Sequence, residues 1–107
     1  MNKWKNKEEF KTRVREWAEK LDIEIKTVSI RQMNNKWASY TQRNDLLLFN
    51  SDLLGFDKAI GDYVIVHELC HLKEFNHSKK YWDLVEKAIP NYKILRKQAR
   101  RFVIKSH

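Results

Sequence analysis

The most informative part of the sequence is His67-Glu68-Leu69-Cys70-His71-Leu72-Lys73-Glu74-Phe75-Asn76-His77. His67 and His71 are four residues apart, so one face of a helix presents both imidazoles. This spacing suits two nitrogen ligands of one Zn²⁺ ion, at roughly 2.0–2.1 Å each. Glu68 points about 100° around the helix from His67, which favours contact with a water at the metal over direct ligation.

A third ligand is needed, and His77 lies six residues after His71, just beyond the expected end of the helix. A turn between Asn76 and Ser78 can bring the His77 imidazole back over the helix face. Three protein ligands leave one zinc position open, which is typical of a catalytic site and not of a structural one. The sequence therefore predicts zinc held by His67, His71 and His77, with Glu68 as the general base. The alternative is a helix that carries two histidines by chance.

The segment around these residues predicts a helix over about 58–75, with Asp57 as its N-cap. Its apolar residues surround the helix axis and do not share one stripe: Ile60, Val64, Ile65, Leu69, Leu72 and Phe75. A helix that is apolar on nearly all sides lies in the middle of a fold.

The elements before this helix follow from two other patterns. Apolar residues at helical spacing predict a first helix over 5–21. Alternation from Ile23 to Ile30 predicts a strand with a bulge near Lys26-Thr27. Asn34-Asn35 predicts a turn before a second strand, 36–41, and Arg43-Asn44-Asp45 predicts a turn before a short apolar third strand, 46–50.

After the histidines, Ser78 is expected to cap a helix over 79–89, and Pro90 is expected to end it. A last amphipathic helix is expected over about 91–104. The order αβββααα predicts an α+β domain, with a sheet of about three strands packed on the central helix.

The chain length and amino-acid composition predict one domain over residues 1–107, with 42% hydrophobic and 34% charged residues. No apolar run approaches the ~20 residues that span a bilayer, and no secretory signal is evident. Cys70 is the only cysteine, which excludes an internal disulfide and favours a cytoplasmic setting. The net charge of +8 is densest near the C-terminus, and indicates either a solubilising surface or an acidic partner such as nucleic acid.

The run Asp62-Tyr63-Val64-Ile65-Val66-His67-Glu68-Leu69-Cys70-His71-Leu72, followed by His77-Ser78 and Tyr81-Trp82, resembles the zinc-metallopeptidase-like domains related to the SprT and minigluzincin proteins. Upstream, Trp37-Ala38-Ser39 and Leu48-Phe49-Asn50 also match that group. The resemblance spans about residues 30–92 and implies a minimal gluzincin-like scaffold with histidine as the third ligand. Many relatives carry Trp-Gly-Ser-Cys-Ser, whereas Tyr40 here replaces a small residue near the expected cleft.

The reaction expected from this site is hydrolysis of a peptide bond, in which Glu68 takes a proton from water and passes it to the leaving amine. Leu46–Asn50 is predicted to be an edge strand at the cleft, where Leu48, Phe49 and Asn50 contact an extended substrate peptide. One alternative is zinc-dependent cleavage of a nucleotide phosphoanhydride. Another is a module without enzymatic activity, whose basic C-terminal helix binds nucleic acid or a partner protein.

The C-terminal segment 91–107 is predicted to control access to the zinc. Its apolar stripe needs a partner, and the helix starts close to His77 in the chain. It would cover the site within a monomer or by helix exchange in a homodimer. The resemblance supports this interpretation, because minigluzincins are known as latent forms blocked by their C-terminal segments; an ordinary packed helix is the alternative.

Several residues around the site are candidates for supporting roles. Asp62 or Glu86 could accept a hydrogen bond from a ligating imidazole, as second partners of such histidines usually do. Cys70 is expected to be a small buried hydrophobe. Four tyrosines are candidates to stabilise an oxyanion, although most are expected to pack in the core: Tyr40, Tyr63, Tyr81 and Tyr92.

Overall fold

The computed structural model describes residues 3–74 and 78–100. Its elements, in chain order, are α1 (Lys7–Lys20), β1 (Thr27–Arg31), β2 (Ala38–Thr41), β3 (Leu46–Asn50), a 3₁₀ turn (Ser51–Gly55), α2 (Lys58–Lys73), α3 (Lys79–Ala88) and α4 (Tyr92–Ala99). The predicted α+β class with a three-stranded sheet is confirmed.

Helix α2 is the centre of the domain. Ten of its residues are buried, and they point in all directions around its axis. Helices α1, α3 and α4 each contact α2, and residues of the sheet share one hydrophobic core with it. Within the part of the chain that the structure describes, no helix is long and apolar enough to cross a membrane.

The strand order is β1-β3-β2, with β3 parallel to β1 and antiparallel to β2. The prediction that Leu46–Asn50 is an edge strand is therefore wrong, because β3 has a partner on both sides. The reason is hydrophobic: Leu47 and Phe49 are fully buried, and the middle of a sheet hides such side chains best. The more polar β2, with Tyr40 exposed, forms one edge.

The strand predicted over Ile23–Ile30 begins only at Thr27, and the expected bulge is absent. The Arg15 guanidinium donates hydrogen bonds to the carbonyls of Ile25 and Lys26. The amide of Lys26 donates to Asp45 Oδ2 at 3.1 Å. Side chains thus satisfy the main-chain groups that a longer strand would pair, while Ile25 is still buried.

Asn50 is fully buried and holds the segment that leads into β2. Its Nδ2 donates to the carbonyls of Met33 and Lys36 at 3.1 and 2.8 Å, and its Oδ1 accepts from the amide of Asp52 at 2.9 Å. These three bonds satisfy the buried amide. Asn50 therefore has a structural role at the end of β3.

Local signals in the sequence were accurate at the turns and caps. Asn35 and Asp45, at the two predicted turns, have positive φ angles of 60° and 48°. Ser78 accepts a hydrogen bond from the amide of Tyr81 and caps α3. Asp57 precedes α2 as expected, but its side chain makes no capping hydrogen bond.

Gly61 lies where α2 passes closest to Trp4. A Cβ atom added at Gly61 would come within 2.5 Å of Trp4 Cζ2 and 2.8 Å of its Nε1. The Trp4 indole is itself buried, with its ring 4.7 Å from that of Phe10. Close packing of helix and indole therefore requires the missing side chain.

We expect Gly61→Ala to lower the free energy of unfolding. Overpacking costs about 1–3 kcal/mol, which exceeds the gain of about 1 kcal/mol that alanine brings to a helix. Urea denaturation of purified protein measures the difference. Gly55→Ala is the matched control, because a Cβ there has no atom within 4 Å. Equal stability of Gly61→Ala and the parent would contradict the tight contact with Trp4.

Candidate metal centre

His67 and His71 lie together on one face of α2, as their spacing predicts. Their ring centroids are 4.9 Å apart and the rings are nearly perpendicular, at 77°. Two imidazoles bound to one tetrahedral ion have centroids about 5 Å apart, given metal–nitrogen bonds of about 2.1 Å. His67 is buried and His71 is half-buried. The donor pair therefore fits a zinc-sized ion.

Glu68 lies beside His67 in this buried environment. Its Oε2 is 3.2 Å from His67 Nδ1, and each of the two residues is 8% exposed. A proton on Nδ1 would be donated to the carboxylate, which leaves the lone pair of Nε2 for a metal. The carboxylate is thus next to the imidazole of His67.

Tyr81 supports both histidines from α3. Its hydroxyl donates to the main-chain carbonyl of His67 at 2.9 Å, and its ring lies 4.8 Å from that of His71 and 5.8 Å from that of His67. Burial raises the pKa of the Tyr81 phenol far above its usual range. A buried hydroxyl already bonded to the main chain suits a structural support better than an oxyanion donor.

The other tyrosines also have packing roles. Burial raises the pKa of Tyr63 to about 12, and its ring is 5.7 Å from that of His67. Tyr92 is buried and stacked on Trp82, with centroids 5.2 Å apart. Tyr40 is exposed and its hydroxyl donates to Asp45 Oδ1 at 2.7 Å, next to the turn between β2 and β3.

Arg96 of α4 is a neighbour of the site that sequence analysis missed. Its guanidinium carbon lies 4.7 Å from the centroid of the Trp82 ring, and that ring is 6.4 Å from the His67 ring. Trp82 and Arg96 belong to different helices, so no periodic pattern links them. Only the packing of α3 and α4 on α2 brings this cation near the histidines.

Two carboxylates proposed as partners of the imidazoles lie elsewhere. Asp62 Oδ1 accepts hydrogen bonds from Arg13 Nε at 2.7 Å and Trp17 Nε1 at 2.9 Å, so it joins α2 to α1. Glu86 is exposed on α3.

Cys70 is 1% exposed, as expected of a small buried hydrophobe, and burial raises the pKa of its thiol to about 11.

The predicted third ligand, His77, lies outside the described residues. Among residues 3–74 and 78–100, no three side chains of His, Cys, Asp or Glu are placed to hold a metal ion together. The described part of the centre therefore consists of two imidazoles and one carboxylate. Of the three residues expected to contact substrate, Phe49 and Asn50 are buried and Leu48 is half-buried.

Comparison with known proteins identifies the family. Residues 1–102 match the family described as YgjP-like, metallopeptidase domain. The chain is 33% identical over 91 residues to an uncharacterised protein of Methanocaldococcus jannaschii, an alignment that covers 81% of this chain and 79% of that protein.

Solved structures of two archaeal metallopeptidase zymogens are similar to this fold. Jannalysin of Methanocaldococcus jannaschii matches with a TM-score of 0.77 and 26% identity, over 86% of this chain and 94% of that chain. Abylysin of Pyrococcus abyssi shares the fold with a TM-score of 0.77 and 20% identity, over 91% of this chain and 97% of that chain. The resemblance to minigluzincins is thereby confirmed. The chain belongs to the YgjP-like metallopeptidase domain family.

Proposed function

We propose that this metallopeptidase domain is a zinc-dependent peptidase, in which His67, His71 and His77 hold the metal and Glu68 is the general base. The observation that carries the proposal is the pair of imidazoles 4.9 Å apart on a central helix, with a buried carboxylate beside them. Bound zinc would supply a Lewis acid for the scissile carbonyl and would lower the pKa of water towards ~7.

The role of Glu68 follows from its position. Its carboxylate lies next to the imidazoles, yet it does not share their face of the helix, so it can accept a proton from the attacking water. It can then donate that proton to the leaving amine. Tyr63 and Tyr81, whose pKa values burial raises, stay protonated at neutral pH and do not compete as bases.

We assign the main-chain binding of substrate to β2 in place of β3. Strand β2 is an edge of the sheet, antiparallel to β3, and within the described residues it pairs with β3 alone. An extended peptide could add to its open side through main-chain hydrogen bonds. The exposed Tyr40 would then lie along the bound peptide and restrict the side chains that fit there.

Helix α4, the first part of the segment 91–107, belongs to the core of the domain, because Leu95 and Ala99 are buried against the rest of it. We therefore propose that the gate over the metal consists of the rest of this segment, residues 101–107, acting within a monomer or by exchange in a homodimer. These residues lie outside the described residues. A reducing cytosolic compartment would suit the single buried thiol, Cys70.

We expect one zinc ion per chain, measured by elemental analysis of protein purified without chelators. His67→Ala and His77→Ala should each weaken zinc binding by more than about 100-fold, because changes even beyond the ligands cost 10–100-fold. Glu16→Ala, at an exposed position of α1, is the control and should leave the affinity unchanged. Zinc affinity of His77→Ala equal to that of the parent would remove His77 from the ligand set.

Glu68→Gln should keep zinc and lose about 10²–10⁴-fold in peptide hydrolysis, the usual contribution of general acid–base catalysis. The assay follows cleavage of casein-derived peptides, with nucleoside triphosphates tested in parallel. Glu16→Gln, at an exposed position of α1, is the control and should retain activity. Loss of zinc from Glu68→Gln would make Glu68 a ligand, and cleavage of the triphosphates alone would refute the peptidase.

Deletion of residues 101–107 should raise peptidase activity while the protein stays folded, because the buried residues of α4 are retained. Activity per bound zinc and the thermal melting temperature are measured on the same sample. A truncated protein that keeps its zinc and its melting temperature, with unchanged activity, would refute the gate. Replacement of residues 101–107 by a Gly-Ser segment of equal length is the matched control for chain length.

A further inference from the structure

The positive charge of the protein is concentrated in the C-terminal part of its sequence. Residues 78–100 contain seven lysines and arginines but two carboxylates, which gives +5 of the net +8. Residues 3–74 are almost neutral, with thirteen lysines and arginines against twelve aspartates and glutamates. The basic segment forms α3 and α4, and these helices pack directly on α2. A positive surface therefore borders the candidate metal centre.

Arg96 is the member of this surface with the most unusual environment. It is half-buried, and its guanidinium lies against the Trp82 ring. Among the described residues no carboxylate lies within ion-pair distance of Arg96. By contrast, two other half-buried cations each have a carboxylate partner: Arg13 pairs with Asp62 at 2.7 Å, and Lys58 pairs with Glu9 at 2.8 Å.

Arg96 is positioned by its contact with the Trp82 indole. The Trp82 ring that Arg96 contacts lies 6.4 Å from the His67 ring, and Tyr92 is stacked on the same indole. The charges of Arg96 and Arg100 also act on Tyr63, where they oppose the effect of burial on its pKa. A guanidinium that is partly desolvated, held by an aromatic ring and without a carboxylate partner in residues 3–74 and 78–100 is well prepared to bind an anion.

On the basis of the peptidase function proposed above, we propose that Arg96 binds a carboxylate of the substrate and thereby selects acidic peptides. The carboxylate could be the side chain of Asp or Glu or the C-terminus of the peptide. The planar guanidinium matches the two oxygens of a carboxylate in a bidentate geometry. The exposed cations of the same helix, Lys93, Lys97 and Arg100, would attract such peptides towards the site.

Binding is measured on full-length, zinc-loaded Glu68→Gln, which should hold peptides without cleaving them. Three peptides share one neutral sequence: the first is amidated at its C-terminus, the second is amidated and has one Glu, and the third has a free C-terminal carboxylate. At least one carboxylate peptide should bind about 10-fold or more tighter than the neutral one, the value of a charge-assisted hydrogen bond. Which of the two is preferred identifies the source of the carboxylate.

Arg96→Gln in this background should abolish the preference and leave the affinity for the neutral peptide unchanged. Arg96→Lys should keep part of it, because the charge remains while the bidentate geometry is lost. Arg31→Gln is the matched control, since it removes the same group from an exposed position on β1, at the other edge of the sheet from β2. The preference is a ratio within one variant, so a general loss of stability does not imitate the effect.

An undiminished preference in Arg96→Gln, or no preference in the Glu68→Gln parent, overturns the assignment of Arg96. If Arg96→Gln does not fold, the same criterion is applied to Arg96→Lys. Tighter binding of nucleoside triphosphates than of any peptide also overturns it. Failure of the proposed function is distinct, because then the chain with Glu68 intact cleaves none of the three peptides whatever the binding ratios are.

Discussion

The structure depends on the burial of α2 on every side. This helix carries His67 and Glu68, each 8% exposed, among apolar side chains. Imidazole and carboxylate groups are costly to bury unless they are paired, and the contact between His67 Nδ1 and Glu68 offsets part of that cost. The other three helices pack on this helix, and residues of the sheet share its hydrophobic core.

Helices α3 and α4 illustrate how covering the core also sets the properties of the site. Tyr81 fills space against α2 and, with the same side chain, anchors the main chain of His67. Trp82 packs against the hydrophobic core, and the Arg96 guanidinium lies against its ring. Rigid support of this kind keeps reactive groups in fixed geometry, which is what a hydrolytic site requires. Packing and electrostatics at this site therefore have the same structural origin.

The sheet shows where reading the sequence was misleading. The apolar run 46–50 was correctly identified as a strand, but nothing within five residues tells a central strand from an edge strand. Its place between β1 and β2 depends on pairing with two separate segments, Thr27–Arg31 and Ala38–Thr41, which both precede it in the chain. Likewise, the start of β1 depends on Arg15 of α1, because its guanidinium donates hydrogen bonds to the carbonyls of Ile25 and Lys26.

Several features could be predicted from the sequence because interactions between near neighbours in the chain control them: the central helix with its two histidines, the cap at Ser78, the stop at Pro90 and the turns at Asn35 and Asp45. Helical spacing and backbone preferences act within a few residues, so they can be recognised without a fold. The strand order, the hydrogen bonds of Asn50 to Met33 and Lys36, and the position of Arg96 near the candidate metal centre emerge only in the folded domain. Each of these depends on contacts between segments far apart in the chain, which arise when the whole domain buries its apolar surface at once.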